Sequence, residues 1–301
     1  MITHDAPTET VDACPLCHSP VHATVFREPP YELRRCGACG LAYVTPRRSP
    51  TALAAMYGED TYWRSTSPKT HGYADYRAEQ ARYLRTFRQR LDYALADGPR
   101  GGRALDVGSA AGFCMAVLRE RGFDVHGVEV SPVIAAHAQE ALGFGDRVFV
   151  GFLEDAPLQP ASFDLICMWD VVEHVPDPVA LLVRARELLA PGGRLVLETQ
   201  DIDSRFAKLL GPRWHHFKHA EHIYHFNPAT VRRLLADAGF SVERLTHRHG
   251  GKYVSTGFIA ERAGRLHPLI SRALEPIARR TADTDLYLNF MDEMIVVARA
   301  R

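Results

Sequence analysis

The chain has 301 residues, with 36 basic and 36 acidic side chains and no formal net charge. That length fits one large domain, or a large domain with a small appendage, and the charge balance supplies no long-range attraction to phosphate backbones or anionic membranes. Apolar residues make up 46% of the chain but never form a run long enough to span a bilayer, the longest being core-like segments such as VALLV. The opening MITHDAPTETVDAC lacks the basic-then-apolar order of a secretory signal, so a cytoplasmic protein with reduced thiols is expected.

Cysteine spacing gives the first chemical signal. Cys14-Pro-Leu-Cys17 is followed by Cys36-Gly-Ala-Cys39, a pair of C-x-x-C knuckles of the four-thiolate zinc type. Gly37 and Gly40 allow the unusual backbone angles of the second knuckle, and PVHATVFREPPYELRRC between the pairs reads as short strands. Residues 1–48 are thus read as a zinc ribbon. Four thiolates complete the shell of the ion, so the zinc is expected to be structural. Cys114 and Cys167 stand alone in apolar segments and read as core.

Ser49-Pro50 marks an N-cap and first helical residue, predicting a helix over roughly 50–57. DTYWRSTSPKTHGYADYRAEQ reads as a loop entering a long amphipathic helix from about Tyr73 to Ala96. Residues 49–100 are therefore expected to form a helical linker or lid.

From Arg103 onward strands and helices alternate. GRALDV, DVHGVEV, RVFVGFL, FDLICMW and GRLVLET read as strands; AGFCMAVLRERG, VIAAHAQEA and PVALLVRARELLA read as helices, the last stopping at Pro191-Gly192-Gly193. Such alternation predicts an α/β, doubly wound parallel sheet over 101–301 that binds ligands at the carboxyl ends of its strands. In LDVGSAAG, Asp106 ends the first strand, and Gly108 and Gly112 flank a tight turn into a helix. Ala110 stands where a nucleotide loop would have its middle glycine. Glu129 ends the second strand, 21 residues after Gly108, where a carboxylate can accept both hydroxyls of a ribose. Without the pyrophosphate fingerprint, the loop favours a ligand lacking phosphates.

LDVGSAAG, VHGVEVS, FLEDAPLQPASFDLICMWDVVEHVPDP and LLAPGGRLVLETQ occur in this order between about Ala104 and Thr199. In this the chain resembles the class I S-adenosylmethionine-dependent methyltransferases. The resemblance implies a Rossmann-like sheet with an antiparallel last strand, formed by FMDEMIVVAR after the helix and strand of FNPATVRRLLADAGFSVERLTHR. It implies that Asp106, Gly108, Ser109 and Gly112 surround the methionine part of the cofactor, and that Glu129 with Val130 binds the ribose. Leu153 and Glu154 would border the adenine, and Trp169 and Asp170 would lie near the sulfonium. Insertions are expected at about 201–227 and 250–285, the second with a helix near 266–280.

WHHFKHAEHIYHF, from Trp214 to Phe226, carries five histidines in the first of these insertions. His215, His219 and His222 have i, i+4, i+7 spacing and could line one helical face as metal ligands, or the segment could be a polar lid with no chemical role. The favoured reading is acid–base chemistry, since an acceptor hydroxyl, acidic carbon or protonated amine must lose a proton. Glu221-His222 would hold the base, with His174, His219 and Tyr224 nearby; His225 and Phe226 would support a helix capped by Asn227 with Pro228 in its first turn.

The four-cysteine module, this core and a Glu-His pair together are similar to the zinc-containing sugar C-methyltransferases of bacterial deoxysugar pathways and their small-molecule relatives. That resemblance implies acid–base roles for Glu221, His222 and His174, and active-site roles for Tyr76 and, less closely matched, Tyr62. Those enzymes carry a further C-terminal domain where this chain ends, so the acceptor pocket is expected to be built differently. The expected partner is a small-molecule acceptor in sugar or natural-product metabolism. Two rivals are a zinc-containing ribosomal RNA methyltransferase, which the neutral charge disfavours, and a non-catalytic zinc-ribbon protein on a retired core, which intact Asp106, Gly108, Gly112 and Glu129 disfavour.

Overall fold

The computed structural model describes residues 7–64, 75–257, 259–260, 268–281 and 284–301. Near the N-terminus, strands β1 (His22–Glu28), β2 (Tyr31–Cys36) and β3 (Ala42–Thr45) form an antiparallel meander. Helix α1 (Pro50–Gly58) follows, capped by the Ser49 side chain, which accepts from the Ala52 amide at 3.3 Å. DTYW does not stay a loop: Asp60–Trp63 makes one helical turn that buries Tyr62 and Trp63. Helix α2 (Gln80–Ala94) begins later than expected, after a 3₁₀ turn at Arg77–Glu79; the predicted start at Tyr73 lies outside the described residues.

The main sheet is built from β4 (Gly102–Val107), β5 (Phe123–Glu129), β6 (Val148–Val150), β7 (Phe163–Trp169), β8 (Leu189–Gln200), β10 (Phe240–Thr246) and β13 (Glu293–Ala300). Its order is β10-β13-β8-β7-β4-β5-β6, and β13 runs antiparallel to both of its neighbours. This is a mixed α/β architecture with a seven-stranded central sheet. The chain leaves β4 in one direction for β5 and β6, then returns past β4 to lay down β7. That reversal opens a crevice beside the carboxyl end of β4. Leu105, Ile166, Leu197 and Val296 in the central strands are fully buried, as expected where helices cover both faces.

Helices α3 (Phe113–Glu120), α4 (Pro132–Ala136), α5 (Pro178–Leu188), α6 (Arg205–Leu210) and α7 (Pro228–Asp237) connect the strands. Asp177 caps α5, and Asn227 with Thr230 forms a capping box on α7. The helix of PVALLVRARELLA ends at Leu188, before the predicted Pro-Gly-Gly stop, because Leu189 already pairs with Phe163. The Pro-Gly-Gly is instead absorbed by a register shift between Leu189 and Arg194.

Within the 250–285 region, β11 (Lys252–Ser255) pairs antiparallel with β12 (Asp285–Leu288), and α8 (Pro268–Arg280) lies between them in sequence. A further strand comes from the histidine segment: β9 (Tyr224–His225) pairs with β3, Tyr224 opposite Tyr43 and His225 opposite Ala42. The N-terminal sheet is therefore completed by a strand almost two hundred residues away in sequence. Among the described residues, no helix is long and apolar enough to cross a membrane.

Candidate active site

A cavity of about 490 Å³ occupies the crevice beside β4. Tyr76, Asp106, Gly108, Ser109, Glu129, Val130, Leu153, Glu154, Trp169 and Asp170 all border it. The turn after β4 is shaped by steric limits. Gly108 has φ +72°, and a Cβ there would stand 2.7 Å from the Val171 Cγ2 atom. Ala110 also adopts a left-handed φ of 46°, at a cost of about 1 kcal/mol or more for a non-glycine residue. Its amide donates to Glu129 Oε2 at 2.8 Å, which holds the turn in that shape. Gly112, in contrast, is not on the cavity wall. Its φ is +80° and the space a Cβ would take is filled by Ala138, 2.7 Å away, so this glycine serves close packing against the following helical segment.

Glu129 is buried, with Oε1 accepting from the Ser131 amide at 2.9 Å. Burial raises its pKa, while these backbone donors pull it down. Asp106 has no such support. It is 1% exposed, its Oδ1 has no hydrogen-bond partner, and burial together with the charge of Glu129 pushes its pKa up to about 8. The buried Ser109 hydroxyl also lacks a partner. Unsatisfied buried acceptors at a sheet switch point call for a polar ligand carrying donors.

The wall also includes Tyr57, Tyr62 and His174. The Tyr57 hydroxyl lies 2.8 Å from His174 Nδ1, and the Glu221 carbonyl lies 3.1 Å from the same nitrogen. A carbonyl only accepts, so that contact is a hydrogen bond when the proton is on Nδ1, with the Tyr57 hydroxyl then accepting, and this tautomer leaves Nε2 as the basic nitrogen. Burial lowers the pKa of His174, opposed by the Glu221 charge, so the ring is held neutral. Tyr62 donates to Glu221 Oε2 at 2.7 Å.

Glu221 and His222 are buried one layer behind this wall, not on it. The His222 ring packs edge-on against His174 at 4.6 Å between centroids, and burial keeps it neutral. His219 and Tyr224 are turned elsewhere. The His219 ring lies among Phe26, Tyr31 and Phe217 beside the N-terminal sheet. The Tyr224 hydroxyl donates to the Pro176 carbonyl at 2.7 Å and accepts from Arg47, a tie between the two sheets. The spacing of His215, His219 and His222 does not form one face, because residues 214–223 are turns, not a helix. Tyr57 carried no sequence signal beyond its place in a short helix; only the packing of α1 against the cavity brings it to His174.

At the front of the chain, the sulfurs of Cys14, Cys17, Cys36 and Cys39 all lie within 4.8 Å of one another. Gly40 has φ +82°, as the knuckle requires, whereas Gly37 is limited by space, a Cβ there meeting Val21 at 2.9 Å. Cys114 and Cys167 are buried in the main core.

Residues 76–245, more than half of the chain, match the family described as a methyltransferase domain. The chain belongs to the methyltransferase family. Similar proteins include a ubiquinone biosynthesis O-methyltransferase of Xanthomonas axonopodis pv. citri (strain 306), 32% identical over 173 residues, or 52% of this chain and 70% of that protein. The corresponding protein of Idiomarina loihiensis is 36% identical over 107 residues, 34% of this chain and 44% of that one. The fold is like that of magnesium protoporphyrin IX methyltransferase from Synechocystis PCC 6803, solved with bound SAH (TM-score 0.52, 18% identity, 84% of this chain and 100% of that one). It is also like a Haloferax volcanii methyltransferase chain solved in complex with its Trm112 activator (TM-score 0.52, 16% identity, 82% and 97%). The methyltransferase is thus a class I, S-adenosylmethionine-dependent enzyme.

The buried histidines give the methyltransferase an acid sensitivity. Burial lowers His219 from 6.5 to about 4, and lowers His174, His222 and His225 as well. Each binds a proton more readily when unfolded, so their stabilising effect is complete above about pH 6.5 and is lost as pH falls through the lower folded values. The melting temperature is expected to drop between pH 7 and pH 4.5, roughly the range these shifts span, and His219→Phe should narrow the drop. An identical drop in that variant and the wild type would reject the contribution of His219.

Proposed function

We propose that this methyltransferase methylates a small-molecule acceptor at oxygen or an acidic carbon, with a histidine on the cavity wall removing the proton. The observation that carries the reading is the single cavity that joins the Asp106–Glu129 corner to Tyr57, Tyr62 and His174. Bound S-adenosylmethionine supplies a methyl group activated by a sulfonium. The unpartnered Asp106 oxygen and the Ser109 hydroxyl fit its amino-acid part, and the doubly braced Glu129 carboxylate fits the ribose hydroxyls, each oxygen keeping a free lone pair. Val130, Leu153 and Glu154 would border the adenine, with Tyr76, Trp169 and Asp170 closing the cavity near the reacting methyl.

His174 Nε2 would take the acceptor proton. The Glu221 carbonyl favours the tautomer with the proton on Nδ1 and Tyr57 contacts the same nitrogen, while Glu221 and His222 position the ring from behind and Tyr62, on the wall, holds the Glu221 carboxylate. His222, favoured as the base from sequence, is proposed here as a positioning residue because it does not reach the wall. Alignment of acceptor and methyl within a cavity that excludes water is the remaining requirement. Oxygen as the methylated atom is supported by the O-methyltransferase names of the relatives; sugar or natural-product metabolism is supported only by the four-cysteine module and the Glu-His pair. Incubation with labelled S-adenosylmethionine and a panel of phenols, nucleotide sugars, amino acids and RNA tests the reading. Transfer to RNA alone would overturn it.

The four sulfurs would hold one structural zinc. The Cys14–Cys39 and Cys17–Cys36 pairs are each 3.5 Å apart, close to the edge of a tetrahedron whose Zn–S bonds are about 2.3 Å. Purified protein is expected to carry zinc in this site, and Cys36→Ser to lose it with a lower melting temperature, because β2 and β3 converge there. Elemental analysis of freshly purified wild type that finds no zinc would reject the assignment.

A further inference from the structure

A second group of metal-ligating side chains lies outside the cavity and outside the four-cysteine site. Asp292, immediately before β13, is 4% exposed. Its Oδ2 lies 3.9 Å from Nε2 of His215 and 3.9 Å from Nε2 of His216. The three side chains offer ligand atoms that all lie within 4.8 Å of one another. Neither imidazole is within hydrogen-bonding distance of Asp292. His216 is 7% exposed, and its Nε2 has no hydrogen-bond partner. Glu293 Oε1 lies nearer to that nitrogen than Asp292 does, at 3.4 Å. Asp292 is oriented by the Trp214 indole, which donates to Oδ2 at 2.8 Å.

We infer that His215, His216 and Asp292 form a metal site for a divalent ion of the zinc, cobalt or nickel class, one that staples the histidine segment to the start of the last strand. Ligand atoms about 2 Å from a tetrahedral ion lie roughly 3.3 Å apart. The 3.9 Å pairs therefore need to close by only about half an ångström. Two imidazoles and one carboxylate suit these ions better than magnesium or calcium, which prefer oxygen alone. Glu293 is counted out as a ligand because Arg90 and Lys252 already hold it at 3.1 and 3.3 Å, but its charge adds to the field at the site. His215 is partly exposed, which leaves a route for the ion and room for water to complete its shell. The site neighbours the proposed acid–base group, with the rings of His216 and His222 5.9 Å apart, yet it does not depend on which acceptor is methylated.

Titration of the metal-free full chain with Co²⁺ tests the inference. The cysteine site is expected to bind with a sulfur-to-cobalt charge-transfer band, and a second equivalent to bind without that band. His216→Gln and Asp292→Asn should each lose the second equivalent, whereas His174→Gln should keep it. A wild-type chain that takes one equivalent, all of it with the thiolate band, overturns the site without any variant being needed. Loss of the second equivalent in His174→Gln with retention in His216→Gln or Asp292→Asn also overturns it. One equivalent without the thiolate band, removed by His216→Gln, supports this site and counts against the zinc ribbon instead.

Discussion

Replacing His174 with alanine is expected to lower kcat by about 10²–10⁴-fold, the range a positioned general base contributes, with little change in affinity for S-adenosylmethionine. His174 meets the cavity wall, and the Glu221 carbonyl, 3.1 Å from Nδ1, favours the tautomer with a basic Nε2. The pH dependence has a definite sign. Burial depresses the pKa of this imidazole below 6.5, so the neutral, basic form predominates above that pH. The rate should be flat on the alkaline side of about pH 6.5 and fall only as pH descends through the lowered value. His222→Ala should reduce kcat less, because that ring acts only through its packing against His174. Single-turnover rates in the wild type and both variants, with an accepted substrate, provide the measurement. Equal rates in His174→Ala and wild type would remove the base from the mechanism.

Glu129→Ala is expected to weaken S-adenosylmethionine binding by about 10–100-fold. Hydrogen bonds to a charged group are worth about 1.5–3 kcal/mol, and about 1.4 kcal/mol corresponds to a tenfold change in Kd. The variant also strips the Ala110 and Ser131 amides of their acceptor, which loosens the turn that carries Gly108 and Ser109. Glu129→Gln separates the two effects, since it keeps an acceptor oxygen but removes the charge. Calorimetric titration with the cofactor reads both variants directly, and an unchanged Kd in Glu129→Ala would move the ribose elsewhere.

Much of this molecule was legible because its signals are local. The β4 turn announced itself through Asp106, Gly108 and Glu129, which face one crevice because they end adjacent parallel strands. The caps at Ser49 and Asn227 formed as written, since a cap needs only residues three apart. The paired cysteines gathered their sulfurs for the same reason within each knuckle. Ala110 stands where a nucleotide loop would have its middle glycine, and it does adopt the left-handed backbone that a glycine would take more easily.

What sequence alone determined is the order and type of the strands of the central sheet, and the residues that line the crevice beside β4, because hydrophobic period and turn chemistry act over a few residues. What the tertiary structure decided is which of the many histidines meet. Spacing along a helix was the only rule available for WHHFKHAEHIYHF, and the segment is not helical. Its β9 strand pairs with β3, which turns His219 into an aromatic cluster at the N-terminal sheet. His174 reaches the cavity through a separate loop after β7, and Tyr57 joins it from α1. Such contacts depend on long-range packing, where burial of apolar surface sets positions that no local pattern encodes.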